Sequence, residues 1–202
     1  MPIGPVYGNG LWKLVAGDDL LIMGRMKSKV VSDEVVYTGR ICRVHQVGLE
    51  MDTGEVVPRD LVWFSDAVVV VPVLADGSVV LIRNERFAGG EELLELPAGK
   101  LDRQDEPPEA AAARELTEET GYTAAHLERL GGFYSCPGAV TEYLHVFCAT
   151  ELTAGEQALE GYERIRVQTV SEDRLREMIA EGELHDAKSI AAYALWRLRE
   201  DR

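Results

Sequence analysis

Apolar positions change their spacing several times along this chain. Between Lys29 and Phe64 they fall in short β-branched groups: Val30-Val31, Val35-Val36-Tyr37, Ile41 to Val47 and Val56-Val57. Such groups predict antiparallel strands, and Asp52-Thr53-Gly54 supplies a hairpin turn among them. Ala67 to Ala75 is then almost continuously apolar, the pattern of a strand buried on both faces. Asp76-Gly77 predicts a tight turn, with Val79 to Arg83 as the returning strand. Leu93 to Leu96 predicts a further short strand ending at Pro97-Ala98-Gly99. More strands are expected around Leu130 to Tyr134, Tyr143 to Ala149 and Arg164 to Val170, and Leu20 to Met23 is an additional candidate.

Helical spacing takes over in three places. Pro107-Pro108 opens a segment rich in alanine and glutamate that continues through Thr120. The prolines suit a first turn, and Gly121 suits the left-handed position just past a helix end. Two further helices are expected over Glu172 to Glu181 and Ala187 to Glu200. Interleaved strands and helices predict an α/β (α+β) architecture, a mixed sheet packed between helices. Residues 1–64 read as a small antiparallel β domain, and residues 65–202 as the main domain.

The 202 residues are 46% hydrophobic and 28% charged, as in an ordinary globular protein that can bury a sizeable core. Cys42, Cys136 and Cys148 are odd in number and far apart, so neither a zinc site nor a disulfide framework is expected, and the thiols read as reduced and mostly buried. The first residues lack the basic start and apolar run of a signal peptide, and the stretch from Ala67 is too short to span a bilayer. A cytoplasmic location and no membrane partner follow as expectations. The net charge of −14 argues against a nucleic-acid or anionic-membrane surface. It also means that any phosphate-bearing substrate would need bound cations or a few placed arginines.

The acidic residues concentrate at one place. Glu115 and Glu119 are four apart on the expected helix and share a face, with Glu118 beside them. Each like-charged pair costs roughly 0.2–0.5 kcal/mol. Carboxylates in the last turns also oppose the helix dipole, which favours cations there. Two local rules are broken at one spot, as happens at functional sites. A hard divalent cation would relieve both costs, whereas a plain solvated acidic face would leave them standing.

The segment from Gly99 to Tyr122 resembles the Nudix box. Glu106, Arg114, Glu115, Leu116, Glu118, Glu119, Gly121 and Tyr122 match it in register, while six residues rather than five separate Gly99 from Glu106. The extra residue falls in the loop, which absorbs insertions readily. The resemblance implies the Nudix αβα sandwich and a Mg²⁺ cofactor, with Mn²⁺ as a substitute. It implies Glu115, Glu118, Glu119 and the Ala98 carbonyl as metal ligands. Gly99, Glu106, Arg114 and Gly121 would shape the box, the glutamate and arginine by ion pairing. Tyr122 would be core.

Beyond the box, Leu94 to Asp102, Arg83 to Phe87, Ser135 to Glu142 and Asp186 to Ser189 are similar to the ADP-ribose pyrophosphatase branch of that family. This likeness implies hydrolysis of a nucleotide-sugar substrate, ADP-ribose to AMP and ribose 5-phosphate, with GDP-mannose or another nucleoside diphosphate sugar as the alternative. Arg83, Arg86, Glu95 and Gly138 are candidates for substrate contacts, although both arginines also read as surface charges and Glu95 as an exposed strand residue. Glu142, with Glu118, is the candidate catalytic group, acting as base on the attacking water. His185 and Lys188 read as structural. A non-catalytic ADP-ribose sensor is a second reading; such sensors commonly lose box glutamates, and here all are present.

The β segment before Ser65 has exposed edges and limited apolar area, which pairing would cover. A homodimer is therefore expected, and the resemblance implies that this segment contributes to the partner's substrate site. Light scattering at micromolar concentration should report twice the chain mass, and removing residues 1–64 should abolish activity.

Overall fold

The computed structural model describes residues 28–200, apart from 102, 104, 160 and 162. The candidate strand at Leu20 to Met23 lies outside the described residues. The chain divides into two compact units: Met1–Phe64 with Gly138–Val140, and Ser65–Pro137 with Thr141–Arg202.

The first unit holds an antiparallel sheet of β1 (Lys29–Thr38), β2 (Arg43–Glu50) and β3 (Val56–Trp63), with β2 central. Its buried residues lie on β2, where His45 Nδ1 donates to the Asp33 carboxylate on β1 at 2.7 Å. Strand β1 is exposed along most of its length, Val35, Val36 and Tyr37 included. The segment Gly138–Val140 joins this sheet: the Val62 N–H donates to the Ala139 carbonyl at 2.7 Å, and Val62 bridges Val140.

The second unit is built on β4 (Ala67–Pro72), which pairs in parallel with β9 (Tyr143–Ala154). Around them a four-stranded sheet runs β7 (Ala98–Lys100), β4, β9, β8 (Tyr122–Tyr134). All six residues of β4 are buried, and the two-residue period of a strand explains how. Val68 and Val70 face one way and pack with Ala111, Ala112 and Leu116 of α1 (Pro108–Thr120). Ala67, Val69 and Val71 face the other way. There they meet β5 (Val79–Arg86) and β6 (Glu91–Glu95), which with β10 (Ile165–Val170) form a three-stranded sheet in the order β10-β5-β6. The same side receives α2 (Glu172–Ala180) through Leu175 and Met178, and α3 (Ala187–Glu200) through Ala192 and Trp196. This is the expected mixed sheet between helices. Among the described residues no helix is long and apolar enough to cross a membrane.

Three expectations need correction. Strand β8 begins at Tyr122, well before Leu130, because its polar first half is a sheet edge whose register comes from β9 rather than from apolar spacing. Ala98 to Lys100 is a short strand, paired with Val69, Val68 and Ala67, and not only the end of a loop. Of the three free cysteines only Cys148 is buried; Cys42 is half-buried and Cys136 exposed.

Leu116 is fully buried between α1 and β4. Leu116→Ala should lower the unfolding free energy by about 2–5 kcal/mol, measured by chemical denaturation.

Candidate active site

Helix α1 starts at a proline pair without a side-chain cap and ends at Gly121, whose φ of 77° is the left-handed turn that glycine takes freely. No basic residue occupies its last turn. The terminal carbonyls are met instead from the loop after β9: the Ala158 N–H donates to the Glu118 carbonyl at 3.0 Å, and Gln157 Nε2 to that of Glu119 at 2.6 Å. A side chain on Gly121 would strike the Gly155 carbonyl at 2.7 Å, so the helix end and this loop meet backbone to backbone.

Arg114 gathers the helix and the preceding loop. Its guanidinium donates to both oxygens of Glu106 at 3.0 and 2.9 Å, to Glu115 at 2.5 Å, to Glu118 at 3.1 Å and to the Lys100 carbonyl at 3.1 Å. The inserted loop residue leaves this clamp intact. Asp105 adopts a φ of 58°, and Glu106 still reaches Arg114.

The three box carboxylates differ in what they have left to offer. Glu118 uses both oxygens, on Arg103 and Arg114. Glu115 uses Oε1 on Arg114, and Glu119 uses Oε2 on the Ala98 N–H at 2.8 Å. Glu115 rests on the β7 backbone so closely that a methyl on Gly99 would overlap its carboxylate, which explains the glycine. Burial pushes the Glu119 carboxyl up to about 8, with Glu115 and Glu163 adding to the shift against the Ala98 N–H and Arg86. Burial also raises Glu115, Arg114 opposes, and Glu118 and Glu163 add to the rise.

Glu163, in the loop before β10, adds to the negative charge felt by both helix carboxylates, after burial and their nearer partners, and the sequence reading missed it. Its only signal was a glutamate just before a strand. Glu142 lies just before β9, half-buried, its carbonyl accepting from the Ser135 N–H at 3.2 Å. Among the described residues no three His, Cys, Asp or Glu side chains form a ready-made metal cluster. The donor chemistry nevertheless suits a hard cation: Glu115 and Glu119 each keep a carboxylate oxygen, and the mutual repulsion with Glu163 is what a divalent ion would relieve.

Arg83 and Arg86 are three apart on β5, so they leave it on opposite faces. Arg83 Nε donates to Gln168 at 2.9 Å, and Arg86 turns to Glu95. Glu95 is fully buried, contrary to a strand-exposed glutamate, because Arg86 and Lys188 both pair with it. Gly138 sits in the first unit with open space around its Cα.

The NUDIX domain model matches residues 63–193, and the chain belongs to that family. It is 32% identical over 180 residues to an ADP-ribose pyrophosphatase from Bacillus subtilis, covering 88% of this chain and 97% of that protein. A GDP-mannose pyrophosphatase from Shigella flexneri is 38% identical over 123 residues, 56% of this chain and 63% of its own length. In fold, the chain matches the crystal structure of an ADP compounds hydrolase with a TM-score of 0.74, at 24% identity, over 85% of this chain and 93% of that one. Divalent metal ions are a general requirement of Nudix hydrolases.

Glu119 carries a pH signature. Its pKa rises from the ordinary 4.5 to about 8 on folding, so its contribution to stability is full below 4.5 and is lost as pH climbs through 8. With chelator present, Glu119→Gln should therefore gain melting temperature relative to wild type between pH 5 and pH 9. Thermal melts at both pH values check this, and equal differences at the two would refute it.

Proposed function

We propose that this chain hydrolyses the pyrophosphate bond of a nucleoside diphosphate sugar, with ADP-ribose, giving AMP and ribose 5-phosphate, as its main substrate. The observation that carries the reading is the placement of Glu115 and Glu119 against the β7 backbone, Glu119 accepting from the Ala98 N–H and Glu115 lying over Gly99, with Glu163 and Arg86 in their electrostatic field. The likeness to the Bacillus subtilis ADP-ribose pyrophosphatase spans nearly all of both chains, whereas the likeness to the GDP-mannose pyrophosphatase spans part of each. That difference supports ADP-ribose over GDP-mannose in this reading.

Glu115 and Glu119 would hold Mg²⁺, with Mn²⁺ able to substitute, and Glu118 would take part only by giving up a bond to Arg103 or Arg114. The bound cation would neutralise charge on the diphosphate and acidify the attacking water. Arg114 holds the carboxylates in place and Arg86 meets the phosphates. Glu163 is the first candidate for orienting and deprotonating water, since it shares the field of Glu115 and Glu119; Glu142 is the second. The exposed apolar strand β1 supports the homodimer, with the N-terminal sheet as its interface. A sensing role is a weaker reading, because the carboxylates that a sensor could lose are held in place here by Arg114 and Ala98.

A chromatographic screen of nucleoside diphosphate compounds with Mg²⁺ tests the reaction; turnover of none of them would overturn the reading. In that assay Glu119→Gln should abolish turnover through loss of metal affinity. Glu163→Gln should lower kcat by about 10²–10⁴-fold with KM nearly unchanged, and Glu142→Gln should stay within about threefold of wild type. The reverse order of the last two would transfer the role to Glu142.

A further inference from the structure

Glu95 belongs neither to the cation site nor to the apolar core, yet it is sealed from solvent at the end of β6. Its Oε1 accepts from Arg86 Nε at 2.8 Å. Its Oε2 accepts from Arg86 Nη2 at 2.6 Å and from Lys188 Nζ at 2.6 Å. Apolar side chains of the same volume commonly stabilise a fold as well as such a buried ionic group does. Stability alone therefore gives no reason for a carboxylate here.

The geometry of Arg86 gives one. A guanidinium is a planar fork, and its Nε and Nη2 edge is committed to Glu95. The opposite edge, Nη1 and the second Nη2 hydrogen, must then point away from Glu95. Arg86 also lines a cleft of about 370 Å³ with Glu85, Phe87, Gly90, Glu91, Glu92 and Arg164. Lys188 shares Glu95 with Arg86, so the buried carboxylate is held between two cations. Lys188 is in turn held by Asp186 at 3.0 Å. Asp186 caps α3 by accepting from the Ser189 N–H at 3.0 Å and its hydroxyl at 2.5 Å, and Ser189 Oγ accepts from the Leu96 N–H at 2.7 Å. One network thus fixes Arg86 and the backbone two residues before Ala98.

We propose that Glu95, backed by Lys188, is a positioning residue that aims the outer edge of Arg86 at the substrate's diphosphate. This rests on the nucleoside diphosphate reading given above. Misplacing such a group by about 1 Å can cost on the order of 10²-fold in rate.

The test is a double-mutant cycle on ADP-ribose hydrolysis with Mg²⁺, using wild type, Arg86→Ala, Glu95→Gln and the double variant. Each single change should lower kcat/KM by about 10–100-fold, chiefly through KM, and the double variant should match Arg86→Ala within about threefold. Lys188→Arg should keep activity within threefold, while Lys188→Met should follow Glu95→Gln. Multiplying losses in the double variant, or a Glu95→Gln enzyme at wild-type rates, would overturn the proposal. Should Glu95→Gln fail to fold, the same cycle with Lys188→Met decides. A wild-type chain inactive on every nucleoside diphosphate would instead remove the reading of the site, and the positioning role with it.

Discussion

The geometry of the carboxylate helix depends on one guanidinium. Arg114 spans the loop through Glu106 and the Lys100 carbonyl, and the helix through Glu115 and Glu118. Its bidentate bond to Glu106 is the strong, directional kind that only arginine makes. Because the fork is rigid, fixing one edge on Glu106 dictates where the Glu115 carboxylate comes to rest, against Gly99. The strand β7 and the helix are thereby held at a spacing that leaves oxygens of Glu115 and Glu119 available. A lysine at this position would keep the charge and lose the geometry.

Much of this was legible in the sequence for a physical reason: the helix declares itself locally. A proline pair, an alanine-rich buried stripe and a glycine terminator all lie within one continuous segment, and the register of the glutamates follows from them. The ion pair between Glu106 and Arg114 was equally foreseeable from their place in the box. What escaped depends on distant partners. Glu95 looks like an exposed strand residue until Lys188, 93 positions away, is brought beside it. Glu163 sits in a loop without periodicity, and only the fold carries it toward Glu119. The first half of β8 is polar and borrows its order from β9, so no apolar pattern announces it.

The net charge of −14 made a phosphate substrate look unwelcome. The structure answers by partition rather than by adding cations overall. Many acidic groups are already engaged with arginines on the surface, as Glu183 is with Arg174 and Glu92 with Arg166. Arg86 and Lys188 are held together on the buried Glu95, and Arg114 is held on Glu106. A few cations in fixed geometry can thus outweigh a larger but solvated negative background, because screening by water weakens the latter far more.

The backbone contact between Gly121 and Gly155 has a bearing on how related chains can differ in length. It pins the loop after β9 to the end of α1, and the bonds from Gln157 and Ala158 extend that pin. Strand β10 then begins at Ile165. Closing a longer loop costs little extra entropy, since the cost grows with the logarithm of its length. Insertions and deletions should therefore be tolerated by loops without such a pin and be rare between Gly155 and Ala158. Divergence in this lineage would then leave the helix end that carries Glu119 unchanged.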